Sequence, residues 1–325
     1  MKLTEPKAEL VLQQEGLEGV YKQIELAGRT AYHSLDKITS DSAKDFVNRM
    51  IKSKHGAALE HGTVYLKIPY NWLHRLTHIG LCNKYIENPY SRTHEMYELL
   101  EAPVAHDAAF SNIVCYLAVT TNLRVLVEND WLEDLKYICG PTQYHEKRYT
   151  MRFICSRAIA QELTRHRAFS FLMESQRYIN YSKERHGGDI TFIKPSWLNY
   201  IYEDIPSQSE LCYLARQYPD EAAHRFIASL VESKYAYMEL LQKGCTPQQA
   251  RDVLPNATKT ELIMTGFASD WRFFFDLRYY GKTGKPHPDM ELLAGKARDE
   301  FIKADVLNDV LKYPSKFDKD NILLK

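Results

Sequence analysis

The chain has 325 residues, and its 42 Lys+Arg against 42 Asp+Glu leave a formal net charge of +0. That balance excludes a protein that holds nucleic acid through a globally basic surface. Hydrophobic residues at 45% and charged residues at 26% exclude wholesale disorder, and a chain this long buries enough surface for a core without staples.

In chain order, Met1-Lys2-Leu3-Thr4-Glu5-Pro6 offers no apolar stretch for a signal peptide. Strands are expected at Thr63 to Ile68, at Ile113 to Val119 and at Tyr149 to Cys155. Each precedes a polar cap (Asn71, Asn122 and Ser156) and then an amphipathic helix. This recurrence is read as a common strand–helix unit rather than a duplication. Ile113 to Val119 is also the longest unbroken hydrophobic run, far short of the ~20 residues a membrane helix needs. Glu87 to Ser111, with Asn88-Pro89-Tyr90-Ser91 and Ala102-Pro103, reads as an irregular excursion. His145-Glu146-Lys147-Arg148 reads as a solvated loop.

Further on, Phe226, Ile227, Leu230, Val231, Tyr235, Met238 and Leu241 recur at helical spacing, and Gly244 is placed to close that helix. Thr246-Pro247 supplies an N-cap and a first-turn proline for a short helix carrying Arg251. A third helix is expected over Lys259 to Arg278, with Trp271, Phe273, Phe274 and Phe275 forming core or an intersubunit seam. The architecture implied is α+β, a central, mostly antiparallel sheet with long packed helices and no sharp domain boundary.

Six cysteines (Cys82, Cys115, Cys139, Cys155, Cys212 and Cys245) form no C-x-x-C pair. They read as buried thiols of a cytoplasmic protein. His74, His78 and Cys82 stand four apart along one helical face. Without an evident fourth ligand, a half-buried polar stripe is the default there and a metal site the minority reading, so no metal is assigned.

The densest polar cluster runs from Glu162 through Arg165-His166-Arg167 to Glu174-Ser175-Gln176-Arg177. On a continuous helix Arg165 and Arg167 would point about 200° apart, so they serve one ligand only if the helix ends between them. Glu162 and Arg165 can share a face. A solvated basic helix end is the plain alternative. Ser175, Gln176 and Arg177, however, bunch hydroxyl, amide and guanidinium donors in a turn that could wrap a phosphate.

Arg165-His166-Arg167, seven residues, then Ser175 resembles the R-H-R-x7-S signature of flavin-dependent thymidylate synthases, extended by Gln176-Arg177-Tyr178. His55-Gly56-Ala57-Ala58-Leu59-Glu60-His61 is similar to the family's H-x-[ST]-x-x-E-H segment, with Ala57 where Ser or Thr is usual. Ala250-Arg251-Asp252-Val253-Leu254-Pro255 and Asp276-Leu277-Arg278 are the third and fourth matches, in the family's order. Other departures are Met173, Ser269 and Phe273.

The resemblance implies a single domain over 1–325 with an insertion at about 70–148, peripheral to the site, and the family's fold. It implies methylation of dUMP to dTMP with methylene-tetrahydrofolate, FAD and NADPH, and no cysteine nucleophile. It also implies a homotetramer with shared sites, while the zero net charge and the short apolar runs lead to an expectation of no nucleic-acid or membrane partner. Carried over, Arg165, His166 and Arg167 would hold FAD, with Glu60 and His61 against the flavin. His55 would sit where folate and nicotinamide come and go. Glu162, Arg165, Glu174, Ser175, Gln176, Arg177 and Arg251 would bind dUMP, and Arg278 would act on the uracil ring. A nucleic-acid-binding module built on the Arg165–Arg177 patch is the rival reading, opposed by the zero net charge.

Overall fold

Nine-residue strands at Arg148–Ser156 (β6) and Lys259–Phe267 (β9) form the middle of the structure, a computed structural model that describes residues 1–70, 84–99, 113–183, 188–198, 213 and 222–318. With Lys7–Val11 (β2) and Ser170–Met173 (β7) they make an antiparallel sheet in the order β2-β6-β9-β7. Two smaller sheets accompany it. Thr63–Tyr70 (β3), Arg92–Leu99 (β4) and Ile113–Asn122 (β5) pair antiparallel in the order β3-β5-β4. Lys2–Thr4 (β1) and Thr191–Ile193 (β8) pair in parallel. The α+β expectation holds, with three sheets among the described residues instead of one pooled sheet.

The helix expected over Lys259 to Arg278 is strand in its first half. β9 ends at Phe267, and the helix (α8) runs Ala268–Arg278. Every β9 residue after Lys259 is buried, so a short apolar run covered on both faces gives no period that separates strand from helix. Within the stretch from Glu87 to Ser111, Arg92–Leu99 is strand: β4 pairs with β5 from Arg92↔Thr120 to Leu99↔Ile113. An edge strand tolerates the charged residues of R-T-H-E-M-Y-E-L, which is why its pattern misleads. Asn71, His74, His78 and Cys82 lie outside the described residues.

The two caps that can be checked form as their chemistry requires. Asn122 accepts the Val125 N–H and opens Leu123–Glu128 (α4), and Ser156 accepts the Ile159 N–H and opens Arg157–Leu163 (α5). The helix expected from the Phe226–Leu241 stripe runs Ala222–Gln242, and Gly244 follows it at φ +90°, a conformation that favours glycine. Thr246 and Gln249 complete a capping box on the short helix Pro247–Ala250.

The central sheet has one apolar and one polar face. Met151, Phe153, Cys155, Leu262 and Met264 pack with Trp271, Phe274 and Phe275 of α8 and with the helix Pro288–Lys303. The aromatic run is therefore core, and Trp271 Nε1 donates to the Tyr149 carbonyl at 3.1 Å. The alternate residues Thr150, Arg152, Glu261 and Thr265 turn to the other face. There the helix Gly16–Ala31 (α1) and the short helix Gly56–Leu59 (α3) lie over β9 and β7. That polar face carries the candidate site. Among the described residues no helix is long and apolar enough to cross a membrane.

Candidate active site

The turn after α5 settles the arginine geometry. The helix stops at Leu163, before both Arg165 and Arg167, and the following turn leaves both side chains exposed. Neither has an acidic partner among the described residues. His166 turns inward instead, edge-on to Phe169 and Phe274 with ring centroids 6.2 and 5.2 Å away. Arg278, the last residue of α8, donates from Nε to His166 Nε2 at 2.9 Å. It also donates from Nη1 to Glu162 Oε2 at 3.3 Å and from Nη2 to the Glu162 carbonyl at 3.4 Å. These contacts use three of the guanidinium's five N–H groups. Burial, then the Arg278 charge, push the His166 pKa down to about 4, so the ring is neutral and accepts at Nε2.

The His55 to His61 segment lies on the adjoining part of the polar face. His55 precedes α3 and is exposed, Glu60 ends it, and His61 is fully buried. His61 Nδ1 lies 2.8 Å from Thr265 Oγ1, which meets Thr150 Oγ1 at 2.8 Å. Burial, then Arg148, lower the His61 pKa to about 3, and its Nε2 has no hydrogen-bond partner among the described residues. Arg148 binds the segment to the arginine turn. Its Nη1 donates to the Glu60 carbonyl at 3.1 Å and its Nη2 to Ser170 Oγ at 3.3 Å. Burial lowers the Arg148 pKa to about 10.

Residues His145 to Arg148 are thus not a solvated loop. Arg148 is 9% exposed, and His145 is buried with Nε2 3.0 Å from the Leu66 carbonyl. The overlooked signal is the period-two pattern Arg148, Thr150, Arg152, which marks one face of a strand.

The Glu174–Arg177 turn sits at the far end of β7, four strand residues or roughly 13 Å from the arginine turn. Ser175 N–H donates to the Ala31 carbonyl at 3.2 Å, and exposed Arg177 donates from Nε to Gln248 at 3.2 Å. Arg251, half-buried, starts the turn after that short helix and faces Asp252 at 4.0 Å. Gln176 is buried beside Tyr181.

Glu174 points inward, accepting from Tyr181 at 3.0 Å and facing His33 Nε2 and Lys259 Nζ at 3.3 Å each. Burial alone would raise its pKa, but His33 and Lys259 more than reverse this and hold it low. Lys259 also meets Glu261 at 2.6 Å, and Arg152 joins Glu261 at 2.6 Å and Glu9 at 3.0 Å. Ligand atoms of His33, Glu174 and Glu261 come within 4.8 Å of one another, but the Lys259 ammonium already lies against both carboxylates.

Residues of the stretch at about 70–148 contact this part of the polar face. Arg124, the second residue of α4, pairs with Glu60 through Nη1 and with Glu128 through Nε, the latter at 2.7 Å. Arg92 of β4 lies over the Phe267 ring at 4.5 Å. The reason is covalent as well as steric, because β3 starts two residues after His61 and fastens its sheet beside the segment. Of the cysteines, Cys115 and Cys155 are buried, and Cys139 and Cys245 half-buried, while Cys82 and Cys212 lie outside the described residues. Burial pushes the Cys155 thiol up to about 12, far from a thiolate.

The sheet, its polar face and the two motif turns define an α+β protein with clustered cations on one surface. Residues 144–305 match the family described as thymidylate synthase complementing protein. Three relatives are named flavin-dependent thymidylate synthase. The Mycobacterium marinum protein is 32% identical over 42% of this chain and 49% of its own. The Corynebacterium efficiens protein is 33% identical over 43% and 50%. The Pyrococcus furiosus protein is 28% identical over 49% and 56%. The chain therefore spans about half the length of these relatives. A UMP/dUMP methylase, PolB of Streptomyces cacaoi, superposes over 96% of this chain and 98% of its own at 15% identity and a TM-score of 0.40. That likeness is too loose to define shared positions.

Proposed function

We infer that the chain is an enzyme that methylates dUMP to dTMP. In this reading methylene-tetrahydrofolate supplies the carbon, FAD reduced by NADPH supplies the hydride, and no cysteine attacks the ring. The observation that carries it is the seating of Arg278 on His166 and Glu162, which joins two distant motif segments beside cations that lack acidic partners. The donor set fits a flavin dinucleotide. Arg165 and Arg167 are exposed, without acidic partners among the described residues, and suited to a pyrophosphate. The bound flavin would supply the hydride chemistry, and the protein binding, orientation and field.

Arg278 keeps two N–H groups for the uracil ring, where its charge favours the N3-deprotonated form and raises electron density at carbon 5. Arg177, Arg251, Ser175 and Gln176 would take the nucleotide phosphate and sugar. Inward-turned Glu174 would act by fixing their turn. His55 stands exposed at the edge, where co-substrates would enter.

Exposed Arg165, Arg167, Arg177 and His55 suit a site completed by neighbouring copies, a homotetramer. The stretch at about 70–148 is then an insertion within one domain. Dispersed thiols support a cytoplasmic setting.

The test is an anaerobic assay of dUMP methylation with methylene-tetrahydrofolate, FAD and NADPH on the purified protein. It should be yellow, release flavin on denaturation and form dTMP. Flavin-loaded protein that forms no dTMP would overturn the reading.

A further inference from the structure

Arg148 is a buried cation without a countercharge. It is 9% exposed, and among the described residues no carboxylate lies within ion-pair distance of it. Glu60 and Asp270 act on it from farther off, and the Glu60 carboxylate is taken by Arg124. The Phe267 ring, 5.3 Å from Arg148 Cζ, and the Glu60 carbonyl soften the charge without balancing it. The Arg148 Nε–H has no acceptor among the described residues. A buried charge left unpaired is strongly unfavourable, so the fold leaves a place for an anion.

That place is a cavity of about 200 Å³, which Arg148 lines. It exists because β2 stops early: Val11↔Thr150 is its last pair with β6, and Arg148 and Tyr149 run past it. The chain then crosses to β3, where Gln13 Nε2 donates to the Thr63 carbonyl at 2.7 Å and Gln13 Oε1 accepts the Thr63 N–H at 2.8 Å. Val20, Ile138 and Val306 supply apolar walls. Tyr65 lines the cavity too. Its hydroxyl oxygen accepts the Arg148 backbone N–H at 3.2 Å, and its own hydrogen has no acceptor among the described residues. The other titratable groups of the lining add no inward charge. Lys147 pairs with Asp309 at 2.9 Å, Glu15 is exposed, and burial raises the Cys139 thiol and keeps it neutral.

We propose that this cavity binds a short-chain monocarboxylate, whose charge balances Arg148. Arg148 Nε and the Tyr65 hydroxyl are the donors, and the apolar walls hold the carbon chain. At about 30 Å³ for each water-sized group, the volume takes roughly six or seven heavy atoms, the size of butyrate. A phosphate suits it poorly, since two donors leave most of its oxygens unpaired against apolar walls. An amide or ketone would leave the guanidinium charge unbalanced. The remaining Arg148 N–H groups hold the Glu60 carbonyl and Ser170, so the bound carboxylate also steadies the tie between the His55–His61 segment and the arginine turn. Neither flavin nor nucleotide is needed for this binding.

The purified protein, in low-chloride buffer free of carboxylates, is titrated by calorimetry with butyrate, butyramide, octanoate and chloride. Butyrate should bind at about one equivalent per chain. Butyramide has the same shape without the charge and should bind roughly tenfold more weakly or worse, the scale of one charge-assisted hydrogen bond. Octanoate is too long for the cavity and should also bind more weakly. Arg148→Gln should weaken butyrate roughly tenfold or more, and Tyr65→Phe several-fold. If Arg148→Gln does not fold, Tyr65→Phe and the comparison of butyrate with butyramide decide the matter. Wild-type protein that does not bind butyrate would overturn the proposal. So would butyramide, octanoate or chloride binding as tightly as butyrate, or folded variants that bind it like wild type. Protein that forms dTMP without binding butyrate loses this site alone. Protein that binds butyrate through Arg148 and forms no dTMP keeps the site and loses the reaction.

Discussion

Acid should unfold this protein through two histidines that the fold keeps neutral. His166 is held at a pKa of about 4 and His61 at about 3, both chiefly by burial and then by a neighbouring arginine. In the unfolded chain each titrates near 6.5. A depressed folded pKa means stability that is fully present above pH 6.5 and lost as pH falls toward the folded value. At pH 5 the unfolded state has bound both protons and the folded state almost none. One and a half pH units at about 1.36 kcal/mol each amount to about 2 kcal/mol per histidine. The wild-type protein should therefore lose about 4 kcal/mol between pH 7 and pH 5, beyond what other groups contribute. Urea unfolding of the flavin-free protein at the two pH values measures this. His166→Gln keeps an acceptor for Arg278 but removes the titration, so its loss over the same interval should be about 2 kcal/mol smaller. An unchanged interval in His166→Gln would mean that the ring is not held neutral against Arg278, and the site geometry argued from it would fail.

Arg278→Ala should cut dTMP formation by roughly 10²–10³ at saturating dUMP while flavin stays bound, the usual scale for losing one preorganised donor. Arg278→Lys should recover little, because an ammonium cannot reach His166, the Glu162 carboxylate and the Glu162 carbonyl together as the fork does; full turnover in either variant would remove Arg278 from the chemistry. Arg167→Ala should instead lose flavin, seen as loss of yellow colour on gel filtration, whereas Arg177→Ala should first raise the dUMP Kd. Gly266→Ala would bring a methyl carbon to 2.4 Å from the Phe169 ring, so it should cost about 1–3 kcal/mol in urea unfolding and loosen the arginine turn. Replacing any of the six cysteines with alanine should leave dTMP formation measurable, and complete loss in a folded, flavin-loaded variant would restore a thiol nucleophile.

Local chemistry decided which parts of this architecture were legible in the sequence. Asn122, Ser156, Thr246 and Gly244 each announce a helix end by a hydrogen bond or a backbone angle that few other residues supply. The stripe from Phe226 to Leu241 is legible because one side of its helix stays wet: Tyr235 is 49% exposed, while Ile227 and Leu230 are buried. β9 was not legible, since burial on both faces erases the alternation that would mark a strand. The motif turns were visible as clusters of donors, but the residues that hold them were not. Arg148, Lys259 and Arg124 look like ordinary surface cations in the sequence. Only pairing with segments 64 to 88 residues away gives them their roles.

Those hidden residues share one physical task. The polar face of the central sheet buries charge, and buried charge is stable only when it is paired and hydrogen-bonded. Arg148 ties the Glu60 backbone to Ser170, Arg278 ties Glu162 to His166, and Lys259 with Arg152 ties Glu174 to Glu261 and Glu9. Each network spans from β6, β9 or α8 to one of the segments that carry candidate ligand-binding side chains. Replacing such a network by apolar residues of equal volume could preserve or raise stability. It would also free the turns at both ends of β7 to shift independently, and a misplacement of about 1 Å in a catalytic group costs on the order of 10²-fold in rate. The networks are therefore better explained by the spacing they impose between the arginine turn and the Glu174–Arg177 turn than by the stability they add.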